Sequence, residues 1–157
     1  MPKKQTMYIE TTVISAYFDF KKQDLERKKV TRNFWNTVPP NYTPVISDAV
    51  LVELRNVPEN KHGVKFLEHV SSIQELPSTP KVENIAQKYT DNNIIRKTKL
   101  EDALHLAHAV VHEIDFLVSW NYKDLVRATQ KRKITIYHQK QNLHLPTITT
   151  PLEFFNV

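Results

Sequence analysis

The sequence contains a single glycine, Gly63, and no cysteine. Phosphate-binding loops and dinucleotide fingerprints need several glycines within a short stretch, so both kinds of nucleotide site are excluded. The lack of cysteine excludes disulfide bonds and thiolate metal sites. No apolar run approaches the roughly 20 residues of a membrane span, and no apolar stretch follows the basic start Met-Pro-Lys-Lys-Gln. We therefore expect a cytoplasmic protein with no secretory signal and no membrane association.

Positive charge exceeds negative charge, and the excess is concentrated in patches. The chain has 22 Lys and Arg against 17 Asp and Glu, which gives a net charge of +5. Basic clusters lie at 27–32, 96–99 and 131–133. Such clusters are usually solvated helix faces, but beside an acidic crevice they would attract a polyanion. We predict that Arg96, Lys97 and Lys99 bind an RNA backbone.

Short apolar runs alternate with helical patterns, which predicts an α/β domain with a central, mostly parallel sheet of about five strands. We predict strands at 7–10, 43–46, 73–76, 115–119 and 147–149. We predict helices at 12–19, 24–37, 48–56, 62–71, 80–91, 99–112 and 122–127. The segment 128–143 is ambiguous, because Lys133-Ile-Thr-Ile-Tyr137 alternates like a strand while its flanks resemble a basic helix.

Two capping boxes indicate helix starts. Thr98 with Glu101, and Thr150 with Glu153, have the spacing at which a cap hydroxyl and a glutamate satisfy each other's backbone N–H groups. Pro151 occupies the first helical position of the second box. We expect one helix to begin after each of these threonines.

Acidic and amide residues stand at strand ends or in the helices that follow them. Glu10 follows the strand Met7-Tyr8-Ile9, Asn121 follows another apolar run, and Glu53 and Asp102 lie near helix starts. In an open sheet flanked by helices these positions converge on one crevice. Two carboxylates ~4 Å apart at an effective dielectric of ~20 repel by about 4 kcal/mol. Protons or a hard divalent cation, Mg²⁺ or Mn²⁺, must therefore neutralise the cluster.

Glu53 is a better candidate ligand than its neighbour Asp48. The two residues share a helix but lie about 140° apart on its wheel, so both cannot face one site. Asp48 follows the cap residue Ser47 and is explained by the helix macrodipole. Glu53 has no such explanation among its apolar neighbours. Glu10 and Asn121 each have a structural alternative, since Glu10 can mark a helix start and Asn121 can cap the helix at 122–127.

Helix 99–112 carries both an acid and a row of histidines. Its apolar face consists of Ala103, Leu104, Ala107, Val110 and Val111. Asp102 and His105 lie on the opposite side, about 60° apart. His105, His108 and His112 also share one side, which leaves a zinc enzyme as an alternative. No second helix offers a matching histidine pair, so the carboxylates are favoured.

Four segments follow one another in a recognisable order. They are Tyr8-Ile-Glu-Thr-Thr-Val-Ile-Ser15, Ile46-Ser-Asp-Ala-Val-Leu-Val-Glu53, Asp102-Ala-Leu-His105-Leu-Ala and Leu117-Val-Ser-Trp-Asn121. Together they resemble the PIN-domain nucleases, most closely the VapC-type toxin-like members. Ile148-Thr-Thr-Pro-Leu-Glu153 matches the family's last strand and helix start, so the resemblance covers nearly the whole chain. It implies one PIN-like domain over residues 1–157 with a three-layer α/β/α fold.

The resemblance also implies an endoribonuclease that uses Mg²⁺ or Mn²⁺ and leaves 5′-phosphate and 3′-hydroxyl ends. Glu53 and Asp102 match the family's acids, and Glu10 stands where most members have Asp. Asn121 stands where many members have a fourth Asp. These four residues are the expected metal ligands and catalytic residues, with Asn121 acting through a water molecule.

Two further positions and the partners follow from the same resemblance. Thr11 matches the hydroxyl that orients the first acid or its water, and Ser119 matches the small polar residue beside the fourth position. Members of this type are toxins of type II toxin–antitoxin pairs. A cognate antitoxin inserts a segment into their acidic crevice, and many of them form homodimers.

Two departures from the family pattern support an alternative function. The longer side chain of Glu10 shifts the first ligand by one methylene, and Asn121 removes a negative charge that would attract a second cation. The alternative is a PIN-like module, catalytically weak or inactive, that binds RNA or protein.

Overall fold

Five short parallel strands organise the fold. The computed structural model describes residues 3–19, 22–58 and 61–155. The strands are β1 (Thr6–Ile9), β2 (Thr43–Ser47), β3 (Gln74–Leu76), β4 (Phe116–Val118) and β5 (Thr147–Thr149). Their order in the sheet is β3-β2-β1-β4-β5, and every neighbouring pair is parallel. The predicted domain of 1–157 also includes 1–2, 20–21, 59–60 and 156–157, which lie outside the described residues.

Helices connect the strands and flank the sheet. They are α1 (Thr11–Phe18), α2 (Leu25–Thr37), α3 (Asp48–Arg55), α4 (Gly63–Val70), α5 (Pro80–Asp91), α6 (Leu100–Val111) and α7 (Ala128–Gln141). Short turns of 3₁₀-helix occur at Pro39–Asn41 and Pro151–Phe154, and a turn of π-helix occurs at Tyr122–Val126. The predicted α/β fold class is confirmed. Within the described ranges, no helix combines the length and apolar character needed to cross a membrane.

The strand order creates a crevice at the centre of the sheet. From β1 the chain adds β2 and β3 on one side, then returns to place β4 and β5 on the other. In such sheets ligands bind where the order reverses, outside the carboxyl ends of the strands. Ile9 pairs with Val118 in the register, and the Glu10 N–H donates to the Val118 carbonyl at 3.1 Å. The residues that follow β1 and β4 are therefore neighbours.

Burial decreases from the central strand to the edge. Met7, Tyr8 and Ile9 of β1 are fully buried. Strands covered by helices on both faces read as continuous apolar runs, and β1 has this character. In contrast, Gln74 and Glu75 of the edge strand β3 are exposed.

The ambiguous segment 128–143 is a helix, α7. Its buried positions are Gln130, Ile134 and His138, which have the four-residue spacing of a helix face. Gln130 donates to the Ile94 carbonyl at 2.7 Å, and Nε2 of His138 lies 2.8 Å from the Tyr89 hydroxyl. The alternation of Lys133-Ile-Thr-Ile-Tyr137 did not predict this helix. Two of its three buried residues, Gln130 and His138, are polar and are buried because they form hydrogen bonds in the core.

One of the two predicted capping boxes is wrong. Thr98 does not cap α6, whose N-cap residue is Lys99 and has no side-chain cap. At the second box, Glu153 accepts from the Thr150 N–H at 2.9 Å, but the helix that follows is a single 3₁₀ turn. The spacing of a capping box indicated the second start and failed at the first.

The single glycine is required by close packing. A Cβ atom at Gly63 would lie 2.3 Å from the Val57 carbonyl oxygen, a contact too short for any side chain. We predict that Gly63→Ala lowers the free energy of unfolding by about 1–3 kcal/mol, the usual cost of overpacking. Denaturant unfolding measures the change. Val64→Ala, on the exposed side of the same helix, is the control, and equal midpoints for the two variants would contradict the packing argument.

Candidate active site

Four residues far apart in the sequence meet at the carboxyl end of the sheet. Glu10 directly follows β1, and Asn121 lies three residues beyond β4. Glu53 projects from α3, and Asp102 lies in the first turn of α6. The imidazole of His105, one turn after Asp102, is the centre of the group. Glu10 and Glu53 both lie close to His105, and the side chain of Asn121 is hydrogen-bonded to Asp102.

Glu10 is buried and held by three donors. One carboxylate oxygen, Oε2, accepts from the Thr12 N–H at 2.8 Å, from the Thr12 hydroxyl, and from the Ser119 hydroxyl at 3.1 Å. The other oxygen, Oε1, lies 3.9 Å from Nε2 of His105. Burial raises the pKa of Glu10, and His105 and Thr12 partly offset that effect. The hydrogen bonds fix the orientation of a carboxylate that is costly to ionise without a cation.

Glu53 and His105 form a short, direct hydrogen bond. Nε2 of His105 lies 2.5 Å from Oε1 of Glu53. The Thr11 hydroxyl donates to the same oxygen at 3.1 Å. Thr11 therefore supports Glu53, whereas Thr12 is the hydroxyl that contacts the first acid. The Glu53 side chain is 31% exposed, so it borders both the buried site and solvent.

His105 is a buried imidazole that lies between Glu10 and Glu53. Burial lowers the pKa of this imidazole, but the hydrogen bond to Glu53 and the charges of Glu10 and Glu53 outweigh burial and raise it. Nδ1 lies 2.7 Å from the Tyr8 hydroxyl, which lies 2.6 Å from Oγ of Ser47. These two hydrogen bonds, together with the contact to Glu53, fix the orientation of the ring.

Asp102 has the most clearly perturbed carboxyl group of the site. Burial and the charge of Glu10 raise its pKa to about 6. His105 and the side chain of Asn121 act in the opposite direction. The electrostatic influence of Glu10 on Asp102 means that the two acids share one environment. That environment favours a bound proton or cation.

Asn121 links the acids to the next turn of the chain. Its carbonyl oxygen Oδ1 accepts from the Asp124 N–H at 3.2 Å, so it caps the π-helix. Its backbone N–H donates to Oγ of Ser119 at 2.9 Å. Ser119 therefore contacts both Glu10 and Asn121. The amide of Asn121 has a structural task and also faces Asp102.

His108 of α6 and His112, the residue just beyond this helix, point elsewhere. Nε2 of His108 lies 3.1 Å from Asp48, and Nε2 of His112 lies 3.1 Å from the Pro77 carbonyl. In the described part of the chain, no three His, Asp or Glu side chains converge as a group that could hold a metal. The histidine row therefore forms no zinc site in this arrangement. Asp48 pairs with His108 and stays outside the Glu10 group.

The donor chemistry of the site fits a hard divalent cation. Glu10, Glu53, Asp102 and Asn121 offer only oxygen atoms, the ligands that Mg²⁺ and Mn²⁺ prefer. The pKa values of Glu10 and Asp102 are raised mainly by burial, which makes both carboxylates costly to ionise without a cation. The acids are joined through His105 and do not converge on one point. The oxygen ligands of these four residues suit Mg²⁺ or Mn²⁺. A cation bound to Glu53 would compete with the hydrogen bond from His105.

Sequence reasoning missed the roles of His105, Thr12 and Tyr8. It placed His105 on the same side of α6 as Asp102, but considered it only as a zinc ligand. It also predicted that this side lies opposite the buried face, whereas both residues are buried. A detectable signal was Tyr8 within an apolar strand, because a buried tyrosine hydroxyl requires a polar partner.

The predicted RNA-binding residues have different environments. Arg96 forms two hydrogen bonds to Asp124, of 2.8 and 2.7 Å. Its guanidinium group is therefore engaged in holding the turn beside Asn121. Lys97 and Lys99 are exposed. Of the three predicted RNA-binding residues, Arg96 is paired with Asp124, and Lys97 and Lys99 are not part of that ion pair.

Comparisons with known proteins agree with this geometry. Residues 7–129 match the sequence pattern of the PIN domain family. The chain belongs to this family, whose members are nucleases. No curated protein matches the sequence.

Solved VapC-type structures share the fold. VapBC-1 from nontypeable Haemophilus influenzae is 13% identical with a TM-score of 0.60, covering 94% of this chain and 98% of its own. VapC20 from Mycobacterium tuberculosis, a Sarcin-Ricin loop cleaving toxin, is 18% identical with a TM-score of 0.57. The match covers 71% of this chain and 86% of VapC20. A toxin-antitoxin complex from Klebsiella pneumoniae gives 17% identity, a TM-score of 0.56, and coverage of 79% and 93%. At these identities the likeness establishes the fold.

The raised pKa of Asp102 predicts a pH-dependent stability. Between the ordinary pKa of 3.8 and the folded value of about 6, the unfolded state loses this proton and the folded state keeps it. The stability that the protonated group provides is therefore lost as pH rises through about 6. We predict that Asp102→Asn stabilises the metal-free protein above neutral pH by on the order of 1–3 kcal/mol, with little effect near pH ~4.

Denaturant unfolding in a chelating buffer at both pH values tests this expectation. Glu113→Gln removes one negative charge from an exposed position just beyond α6 and is the matched control. An Asp102→Asn effect of equal size at both pH values would show that the mutation acts through packing and not through titration.

Proposed function

We propose that this protein is a Mg²⁺- or Mn²⁺-dependent endoribonuclease and the toxin of a type II toxin–antitoxin pair. The observation that carries the proposal is the meeting of Glu10, Glu53 and Asp102 with Asn121 at the switch point of the sheet. Membership of a nuclease family supports the reaction class. The fold shared with VapC20, a Sarcin-Ricin loop cleaving toxin, supports RNA as the substrate.

Glu10, Glu53 and Asp102 are the proposed ligands of the cation, and Asn121 assists through a water molecule. When bound, the ion lowers the pKa of water and stabilises the negative charge that grows on the phosphate oxygens. Asp102, with a pKa of about 6, is ionised at neutral pH and able to bind a cation. Below that pH, protons compete for the same oxygens.

The surrounding residues position the acids. The Thr12 and Ser119 hydroxyls hold Glu10, and the Thr11 hydroxyl holds Glu53. His105 keeps a proton at Nε2 directed at Glu53, with its ring fixed through Tyr8. These contacts restrict the carboxylates before substrate arrives, and preorganised charge is the main source of stabilisation in phosphoryl transfer.

Lys97 and Lys99 are the proposed contacts to the RNA backbone, and Arg96 acts by holding Asp124. The family resemblance suggests products with 5′-phosphate and 3′-hydroxyl ends. Lysine contacts to phosphates release counterions, so RNA binding should weaken steeply as salt rises.

A cavity beside Glu53 is the proposed place for an antitoxin segment. It has a volume of about 490 Å³. Its acidic lining residues are Asp48, Glu53, Glu83 and Glu101. A basic segment would complement this lining, and the fold shared with the toxin-antitoxin complex from Klebsiella pneumoniae supports such a partner. A homodimer and a cytoplasmic location are proposed from the family resemblance and composition alone.

We predict that Asp102→Asn abolishes Mn²⁺-dependent cleavage of single-stranded RNA while the protein stays folded. The substitution removes a ligand charge with almost no change of shape, so the loss should exceed about 100-fold, or roughly 2.7 kcal/mol of transition-state stabilisation. Gel analysis of end-labelled RNA measures the rate. Glu113→Gln should cleave like wild type, and undiminished cleavage by Asp102→Asn would refute the proposed ligand set.

The alternative is a PIN-like module that binds RNA or protein with a weak or inactive site. It is favoured by Glu10 and Asn121, and by the hydrogen bond of His105 to Glu53, which already occupies one oxygen of a proposed ligand. Calorimetric titration with Mn²⁺ separates the two functions. We predict binding at submillimolar to millimolar concentrations that Glu53→Gln weakens. No binding by wild type at millimolar Mn²⁺ would favour the inactive module.

A further inference from the structure

A second cavity, of about 280 Å³, has Asp124 in its lining, the residue whose backbone N–H donates to Asn121, and four of its lining residues are Lys or Arg. Its charged lining residues are Arg96, Lys123, Asp124, Arg127 and Lys133, and its polar lining residues are Asn93 and Gln130. None of these residues belongs to the proposed metal ligands. The cavity combines the π-helix, the start of α7 and the loop after α5.

The walls of this cavity are fixed by hydrogen bonds. The two-bond pair of Arg96 with Asp124 joins the loop after α5 to the π-helix. Gln130 donates to the Ile94 carbonyl at 2.7 Å, and Lys133 donates to the Asn93 carbonyl at 3.2 Å. These contacts tie α7 to the same loop. The loop after α5, the π-helix and α7 are therefore held together around the cavity.

The cavity carries an excess of positive charge. Its one carboxylate, Asp124, is buried and neutralised by Arg96, which together with the nearby lysines lowers its pKa. Lys123, Arg127 and Lys133 remain as cations at the rim, and all three are exposed. The first turn of α7 adds N–H groups that no side chain caps. This lining favours an anion with several acceptor oxygens.

The same residues connect the cavity to the candidate active site. Asp124 donates its backbone N–H to Asn121, and its charge acts on Asp102. A strand of RNA that reaches the acidic group brings phosphates into a region of negative charge. Cations next to that region offset the repulsion for the neighbouring phosphates.

We infer that this cavity binds a backbone phosphate of single-stranded RNA, adjacent to the phosphate that reaches Glu10 and Asp102. Lys123 and Arg127 contact the phosphate oxygens, and the Arg96–Asp124 pair positions the cavity wall. The direction in which the RNA runs, from this cavity to the acids, rests on the proposed function. The binding of phosphate to the cavity can be measured without any cleavage.

The test uses the full chain and a fluorescein-labelled single-stranded RNA of roughly 12 nucleotides, within the range of single-strand site sizes. Fluorescence anisotropy in a chelating buffer measures affinity at several salt concentrations. The double variant Lys123→Gln/Arg127→Gln removes the two exposed contacts and leaves Arg96 in place. Lys81→Gln/Lys140→Gln changes the net charge equally and is the matched control, because neither lysine lines the cavity.

We expect the cavity variant to bind RNA at least about tenfold more weakly than the control at low salt. The slope of log affinity against log salt should fall by about 0.7, the value for one lost phosphate contact on a single strand. The conservative variant Arg127→Lys should retain most of the affinity, which a purely structural role of Arg127 does not require.

Three outcomes overturn the inference. One is wild-type affinity in the cavity variant. Another is an equal loss in both, which would indicate general charge attraction. A third is unchanged RNA binding with lost binding of a polyglutamate peptide, which would assign the cavity to an acidic protein segment. If wild type fails to cleave RNA but the cavity variant loses binding, the proposed function fails and the phosphate site stands.

Discussion

The imidazole of His105 makes the contacts on which the arrangement of this site depends. It lies between Glu10 and Glu53 and is fixed from behind by the hydroxyl of Tyr8. Without a hydrogen-bond donor or a cation between them, buried carboxylates would repel one another by several kcal/mol. The histidine thus lets the fold bring acids together before any metal arrives. A cation that enters the site must compete with this internal partner.

The general architecture followed from the sequence because its causes are local. Apolar runs such as Met7-Tyr8-Ile9 can only be central strands, and the acid that follows such a run lies at the carboxyl edge of the sheet. The order of these runs and the motifs around them predicted the α/β class and the meeting of Glu10, Glu53 and Asp102.

Other features depend on long-range contacts that no local pattern records. Helix α7 buries Gln130 and His138, which are polar and find partners at Ile94 and Tyr89. The position of His105 between two acids depends on how α6 packs against β1 and α3. The exchange of roles between Thr11 and Thr12 depends on side-chain direction alone. Hydrophobic periodicity predicts which face of a helix or strand is buried. The features described here depend on which residues of other elements each face contacts.

The last strand has a consequence for when the site exists during synthesis. The backbone N–H of Ser119 donates to the Thr149 carbonyl at 2.9 Å, and Ser119 is the residue that contacts both Glu10 and Asn121. A ribosome makes Thr149 after every member of the acidic group, and domains complete their folding only as the required segments emerge. A nascent chain therefore carries all the acids well before it carries their support, which delays assembly until translation has passed β5.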